Sequence, residues 1–222
     1  MPFTYLTNES YIGADIDMAA SLSTALSLSL PVEFVPTTWP NLATDLTAGS
    51  FDIAMGGISI TLARAMKFYY SDPVLRAGKV GCIRCADSAK YTSLATLDVK
   101  GTTVVVNAGG TNEVFDKANL VNADLLVVND NKIVYEVVAN GTADAMISDM
   151  VEIELQVRLW NGTLCMLGDA AEPWTFSRLG YLMSRDEVWR SFVNLWLAME
   201  IGNGGLNETM ETWMAYDWNS VA

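Results

Sequence analysis

The sequence predicts an α/β fold built as two lobes, and three observations predict it. Short apolar, often β-branched runs alternate with segments whose apolar residues recur at helical spacing. The alternation forms two series, the second starting near Lys79 and enclosed by the first and a C-terminal return. Residues 103–116, TVVVNAGGTNEVFD, read as a buried strand, a tight glycine turn and a helix start. This rhythm assigns residues 1–78 and 179–222 to lobe 1 and 79–178 to lobe 2, joined by two crossover strands, with a mostly parallel sheet.

In lobe 1 a turn at Asn8-Glu9-Ser10 precedes a helix over Ile16 to Leu30, closed by Pro31. Val32 to Val35 predicts a short strand, and a helix begins over Trp39 to Leu46. Phe51 to Met55 predicts a strand, Gly56-Gly57 a turn, and Leu62 to Met66 a helical turn. In lobe 2 strands are expected at Val80 to Cys85, Thr102 to Val106, Asp124 to Val128, Asp144 to Ser148 and Leu164 to Leu167. Helical segments fall between them at Ser93 to Leu97, Glu113 to Ala118, Ile133 to Asn140 and Met150 to Leu159. Tyr181 to Met183 predicts a returning strand, followed by helices over Asp186 to Glu200 and Asn207 to Tyr216.

Composition narrows the function. With 222 residues, 51% of them hydrophobic, and a mean hydropathy of +0.23, the chain packs a core rather than staying disordered. No uninterrupted apolar run reaches about 18 residues, so no membrane insertion is predicted. A formal charge of −13 speaks against nucleic acid and anionic membranes as partners. It leaves an anionic small molecule open, because a pocket on an acidic protein can be locally basic. Histidine is absent, which excludes serine–histidine and cysteine–histidine catalysis and removes the commonest zinc ligand. Acid–base work falls to Asp, Glu, Lys or Tyr, and no metal site is predicted. The sequence leaves the oligomeric state open, a homo-oligomer included.

Cys82 and Cys85 have C-x-x-C spacing but lie in an apolar strand, which argues against a redox or zinc role. A disulfide between Cys165 and one of that pair is the expected use, with Cys85 to Cys165 as the expected bridge. It suits an oxidising compartment.

Three stretches carry candidate chemistry. At Asn107 to Thr111 the turn aims unpaired backbone N–H groups and the positive end of a helix dipole at one point, a place for a carboxylate. Gly109 and Gly110 put no Cβ in the way. Gly56 to Thr61 follows a strand and offers N–H and hydroxyl donors, with Arg64 one turn on, able to grip a carboxylate. Asp149 ends a strand as a natural N-cap, and Glu152 stands at capping-box spacing, although with Asp in place of Ser or Thr at the cap. Trp39, in PTTWPNL, sets a large flat ring near a domain edge.

The blocks GADIDMA, PTTWPNL, FDIAMGGISIT with Arg64, Ser71-Asp72-Pro73 and NGTADAMISD resemble the bacterial family 3 extracellular solute-binding proteins. RAGK, VNAGGTNE, ANL, SDMVEIELQVRL and WMAYDW are similar to the cyclohexadienyl dehydratase branch. The resemblance implies a two-lobed, periplasmic-binding-protein-like (type II) fold, export to the periplasm or beyond, and a small-molecule carboxylate as substrate. It also implies a strand ahead of Pro2-Phe3-Thr4-Tyr5, so the first strand of lobe 1 is expected to be missing here. Its activity would be conversion of prephenate to phenylpyruvate, of L-arogenate to L-phenylalanine, or both, without metal or cofactor. A non-catalytic binder of an amino acid or aromatic carboxylate is the alternative. By motif position Glu152 matches the general acid, and Asp149 matches the carboxylate that meets a ligand amine in amino-acid binders. Asn107, Gly110 and Thr111 match the anion-holding turn; Trp39, Thr61, Arg64 and Lys79 match wall and carboxylate-binding positions. The chemistry needs one uncharged carboxyl, and burial together with repulsion from Asp149 would keep Glu152 so.

Overall fold

The computed structural model describes residues 1–8, 10–27 and 31–220. Its elements run β1 (Tyr5–Leu6), β2 (Tyr11–Ile12), α1 (Ala14–Ala25), α2 (Leu42–Thr47), β3 (Ile53–Ala54), α3 (Leu62–Ala65), β4 (Tyr69–Tyr70) and β5 (Leu75–Ala77). There follow β6 (Lys79–Arg84), α4 (Leu94–Leu97), β7 (Thr103–Asn107), α5 (Thr111–Asn119), β8 (Asp124–Val128), α6 (Val134–Ala139), β9 (Ala145–Asp149), α7 (Met150–Leu159) and β10 (Leu164–Leu167). The chain ends with β11 (Ser177–Leu179), β12 (Leu182–Met183), α8 (Glu187–Gly202) and α9 (Gly205–Ala215). It forms two compact units, one from Met1–Arg76 with Ser177–Ala222, the other from Ala77–Phe176.

The first unit is built from short pieces. β1 and β2 pair as an antiparallel hairpin, and β12 lies between β3 and β4 with Leu182 opposite both Ala54 and Tyr70. Leu42, Leu46, Ala54, Ile58, Phe68 and Leu182 make its core, with Trp39, Phe51 and Tyr70 against them. α1 packs on α8 and α9. Gly13 starts α1 at a φ of 131°, where a Cβ would run into the Phe3 carbonyl. Only glycine fits there, and the approach lets Pro2 and Phe3 carbonyls accept from the N–H groups of Ala14 and Asp15. α8 is capped by Asp186, whose carboxylate accepts from the N–H groups of Val188 and Trp189. β5 and β11 pair with each other and carry the chain out of this unit and back.

The second unit is a five-stranded sheet in the order β10-β6-β9-β7-β8. Alternate residues of its strands serve opposite faces. Val80, Cys82, Val105 and Met146 pack one way with Val134, Val138, Ile153 and Leu164. Ile83, Val104, Ala145 and Ile147 pack the other way with Tyr91, Leu97, Leu120 and Leu167. Helices cover both faces, which is why these strands read as continuous apolar runs. The sheet is mixed, not mostly parallel as the strand–helix rhythm suggested. β9, β7 and β8 are parallel, joined through helices, whereas β6 is antiparallel to both β9 and β10.

Other expectations change locally. Val32 to Val35 is not a strand; its residues are exposed and bounded by Pro31 and Pro36, which supply no N–H to a ladder. The first helix closes earlier than expected, with Leu26 as its C-cap, and residues 28–30 of the predicted helix lie outside the described residues. The disulfide joins Cys85 to Cys165, their Cα atoms 4.8 Å apart across the end of the β6–β10 ladder. Cys82 is free and buried in the core. No helix among the described residues is long and apolar enough to cross a membrane.

Candidate active site

In the second unit the polar residues gather around Lys79, the first residue of β6. Its backbone is held from both sides: its N–H donates to Thr175 Oγ1 at 3.0 Å, and its carbonyl accepts from Trp174 at 2.9 Å. Gly78 makes this approach feasible, since a Cβ would strike the Thr175 carbonyl and Pro173. The antiparallel register sets Lys79 opposite Asp149. The ammonium lies 3.1 Å from Asp149 Oδ2, with both side chains largely buried. It also donates to Thr111 Oγ1 at 3.2 Å and to Asn112 Oδ1 at 2.5 Å, both in the first turn of α5. Asn112 Nδ2 donates in turn to Asn107 Oδ1 at 3.4 Å and to Ser148 Oγ at 3.1 Å. Ser148 Oγ donates to Glu152 Oε2 at 2.5 Å.

Asp149 stands at the N-cap position of α7, yet its side chain does not cap the helix. It is turned to Lys79 instead. Glu152 is likewise not part of a capping box; its carboxyl meets the serine one turn back. Tyr135 and Cys82 are its buried neighbours. The Tyr135 phenol is held well above its usual range, and the Cys82 thiol is pushed up to about 12. In both the cause is burial first and the nearby Glu152 carboxylate next. Both side chains are therefore neutral walls at ordinary pH.

The glycine turn is partly occupied by its own chain. Gly109, at a φ of 80°, donates its N–H to Glu113 Oε2 at 2.5 Å, and Glu113 pairs with Lys117 at 2.6 Å. Lys117 and then the Gly109 N–H hold this carboxylate below its usual range. Gly110 is the N-cap of α5 and gives the first turn no side-chain cap. One turn beyond Asn112, Asp116 is fully buried, with no hydrogen-bond partner for either carboxyl oxygen among the described residues. Burial pushes it up to about 8 even though Lys79 pulls the other way, with Glu113 adding to the rise.

The first unit groups Trp39, Thr61 and Arg64. Thr61 caps the short α3, its hydroxyl accepting from the Arg64 N–H at 3.3 Å. The Arg64 guanidinium donates to the Ser59 carbonyl at 3.3 Å and stands 5.8 Å from the centroid of the Trp39 ring. Two N–H groups of the expected Gly56 to Thr61 donor set are committed elsewhere: Gly57 donates to Asp15 Oδ2 at 3.2 Å and Ile60 to the Arg178 carbonyl at 2.8 Å. Asp15 also accepts from the Tyr181 hydroxyl at 3.1 Å; burial nevertheless raises it to about 7.

So the structure brings Lys79, Thr111 and Asp149 into direct contact, and reaches Asn107 and Glu152 through Asn112 and Ser148. Gly110 adjoins them as the helix cap. Trp39, Thr61 and Arg64 form a separate group in the other unit. Sequence reasoning missed Asn112, Asp116 and Ser148. Asn112 carried a signal, being the next residue of the glycine turn, and Asp116 lies on its helix face four residues on. Among the described residues no group of three or more His, Cys, Asp or Glu side chains is placed to hold a metal ion.

Two units of this kind, one of them carrying a glycine turn at a helix start and a carboxylate at a strand end, are the fold of a solute-binding protein. Residues 1–216 match the sequence profile of the bacterial extracellular solute-binding proteins, family 3, and the chain belongs to that family. It is 42% identical over 218 residues to the cyclohexadienyl dehydratase of Pseudomonas aeruginosa, covering 98% of this chain and 80% of that one. It is 25% identical over 228 residues to the L-cystine-binding protein TcyJ of Escherichia coli K12, covering 97% and 79%. Among solved structures, an ancestral amino acid-binding protein described as a precursor of cyclohexadienyl dehydratase superposes with a TM-score of 0.86 at 30% identity, covering 96% of this chain and 90% of that one. An ancestral cyclohexadienyl dehydratase gives a TM-score of 0.56 at 39% identity, covering 97% and 88%.

Proposed function

We propose that this protein is a cyclohexadienyl dehydratase, an exported lyase converting prephenate to phenylpyruvate, L-arogenate to L-phenylalanine, or both. The reading is supported by the 42% identity to a cyclohexadienyl dehydratase over almost the whole chain. The observation that carries it is the Glu152 carboxyl, held at 2.5 Å by Ser148 on the rim of the Lys79–Asp149 network. A carrier needs a carboxylate such as Asp149 to meet an amine, but has no use for a second, acid-bearing one beside it.

In this reading Glu152, in its acid form, gives its proton to the ring hydroxyl of the substrate. The carbon–oxygen bond breaks and water leaves. The bond to the ring carboxylate breaks as CO₂ departs, and its electron pair completes the aromatic ring. Arg64 and Lys79 are the proposed carboxylate-binding cations, with Thr61, Asn107, Gly110 and Thr111 as polar partners, Trp39 as an aromatic wall and Asp149 as the group facing an amine. The two units serve as the lobes, the proposed bounds of 1–78 with 179–222 and 79–178 lying two residues from those of the units. The Cys85–Cys165 disulfide accords with work in an oxidising compartment such as the periplasm.

The test is ultraviolet detection of phenylpyruvate from prephenate. Glu152→Gln should fold and lose about 10²–10⁴-fold in turnover. Parental turnover in that variant would remove the reading, and thermal stabilisation by amino acids without turnover in the parent would make the protein a carrier.

A further inference from the structure

The hydrogen bonds leading to Glu152 have a direction, and Lys79 sets it. An ammonium has three hydrogens and no acceptor. Those of Lys79 meet Asp149 Oδ2, Thr111 Oγ1 and Asn112 Oδ1. The Asn112 amide must therefore turn its oxygen to Lys79 and its NH₂ away, which removes the usual ambiguity of an amide flip. One amide hydrogen then arrives at Ser148 Oγ. Ser148, only 1% exposed, still has its own hydrogen to place. The Asn112 nitrogen cannot accept it, and the neighbouring Tyr135 phenol is a neutral hydroxyl that brings a hydrogen of its own to Ser148 and Glu152. It goes to Glu152 Oε2.

We infer that Ser148 is a positioning residue for the acid step: it keeps Oε2 of Glu152 as an acceptor, so the transferable proton sits on Oε1. The inference rests on Glu152 being the acid of the proposed dehydratase. It adds how that acid is aimed and what receives its charge. Before transfer, the Ser148 bond ends on a neutral carboxyl and fixes its rotation. After transfer it ends on a carboxylate, and a bond to a charged acceptor is roughly twice as strong. The gain arises only as the proton leaves, so it lowers the barrier without tightening substrate binding. Lys79, at the far end of a run of donors that all point the same way, polarises each bond toward Glu152.

Ser148→Ala should lower kcat about 5- to 30-fold, the difference between a neutral and a charge-assisted bond, with KM within about threefold. Ser148→Cys, nearly the same size but a weak donor, should show the same split and keeps the question open to measurement should the alanine variant not fold. Single-turnover rates in the Glu152→Gln background give the deciding comparison, because a residue acting through Glu152 adds nothing once the acid is gone. Ser148→Ala should there cost less than about twofold. A parental kcat in both Ser148 variants, a loss confined to KM, or an undiminished loss in the Glu152→Gln background would overturn the inference. If Glu152→Gln is inactive while the Ser148 variants turn over normally, only the role of Ser148 falls. If Glu152→Gln itself keeps the parental rate, the dehydratase reading falls with it.

Discussion

The two units carry their candidate residues in different ways. In the second, Lys79 is buried, pinned through its backbone, and bonded to three side chains from two other elements. In the first, Arg64 rides on a four-residue helix whose Leu62 is 89% exposed and whose C-cap, Met66, is 74% exposed. Among the described residues its guanidinium donates to the Ser59 carbonyl and faces the Trp39 ring. A cation that is part of the packing is fixed before any ligand arrives, whereas one on a short exposed turn answers mainly to the ligand. In the proposed reading, the same type of group therefore serves stability in one unit and affinity in the other.

Lys79→Met should break this contrast most severely. It takes a buried charge away from the Asp149 carboxylate and from the Thr111 and Asn112 oxygens that faced the ammonium, so unfolding free energy should fall by about 3–5 kcal/mol, together with turnover. Denaturant melts would show it. Removing the disulfide by Cys85→Ser with Cys165→Ser follows at about 2–4 kcal/mol, because an 80-residue separation is no longer closed in the unfolded chain. Proteolysis should locate the loosening in residues 77–176.

A smaller effect is expected from pH. Asp116 titrates near 8 when folded and near 3.8 when unfolded. Between those values the folded chain keeps a proton that the unfolded chain has lost, so stability falls as pH rises from about 4 to 8. Asp15, raised to about 7, contributes in the same direction from the first unit. Asp116→Asn should leave the melting point at pH 4 nearly unchanged and raise stability at pH 8 by on the order of 2–3 kcal/mol. A melting curve independent of pH in the parent would contradict this. Arg64→Ala sits at the other end of the scale for stability, within about 0.5 kcal/mol. Its effect should appear in KM, raised about 10- to 100-fold by the loss of a charged hydrogen-bond donor.

The same division explains what could be read from the sequence. Strands β6, β7 and β9 are five or six residues long and buried on both faces, so their apolar runs stand out. The strands of the first unit are mostly two residues long; Ile53–Ala54 and Leu182–Met183 show because longer apolar runs surround them, whereas Tyr69–Tyr70 and the hairpin of Tyr5–Leu6 with Tyr11–Ile12 are too short for any period to register. Charged site residues such as Lys79, Asp149 and Glu152 could be placed at element ends. Their pairing could not, because the β6–β9 register joins residues seventy positions apart. Ser148 was hidden more thoroughly: a small uncharged residue at the end of an apolar strand reads as filler, and its importance lies entirely in what stands on either side of it.

One cysteine gives the fold a sorting rule. A chain with three thiols can close three different single bridges, and here one thiol is walled into the sheet beneath Val134 and Val138. Bridges made to Cys82 would leave that wall unfinished, whereas the bridge that uses Cys85 lets the third sulfur sink out of reach of further exchange. In the folded chain the buried Cys82 thiol is thus kept from exchanging with the Cys85–Cys165 crosslink.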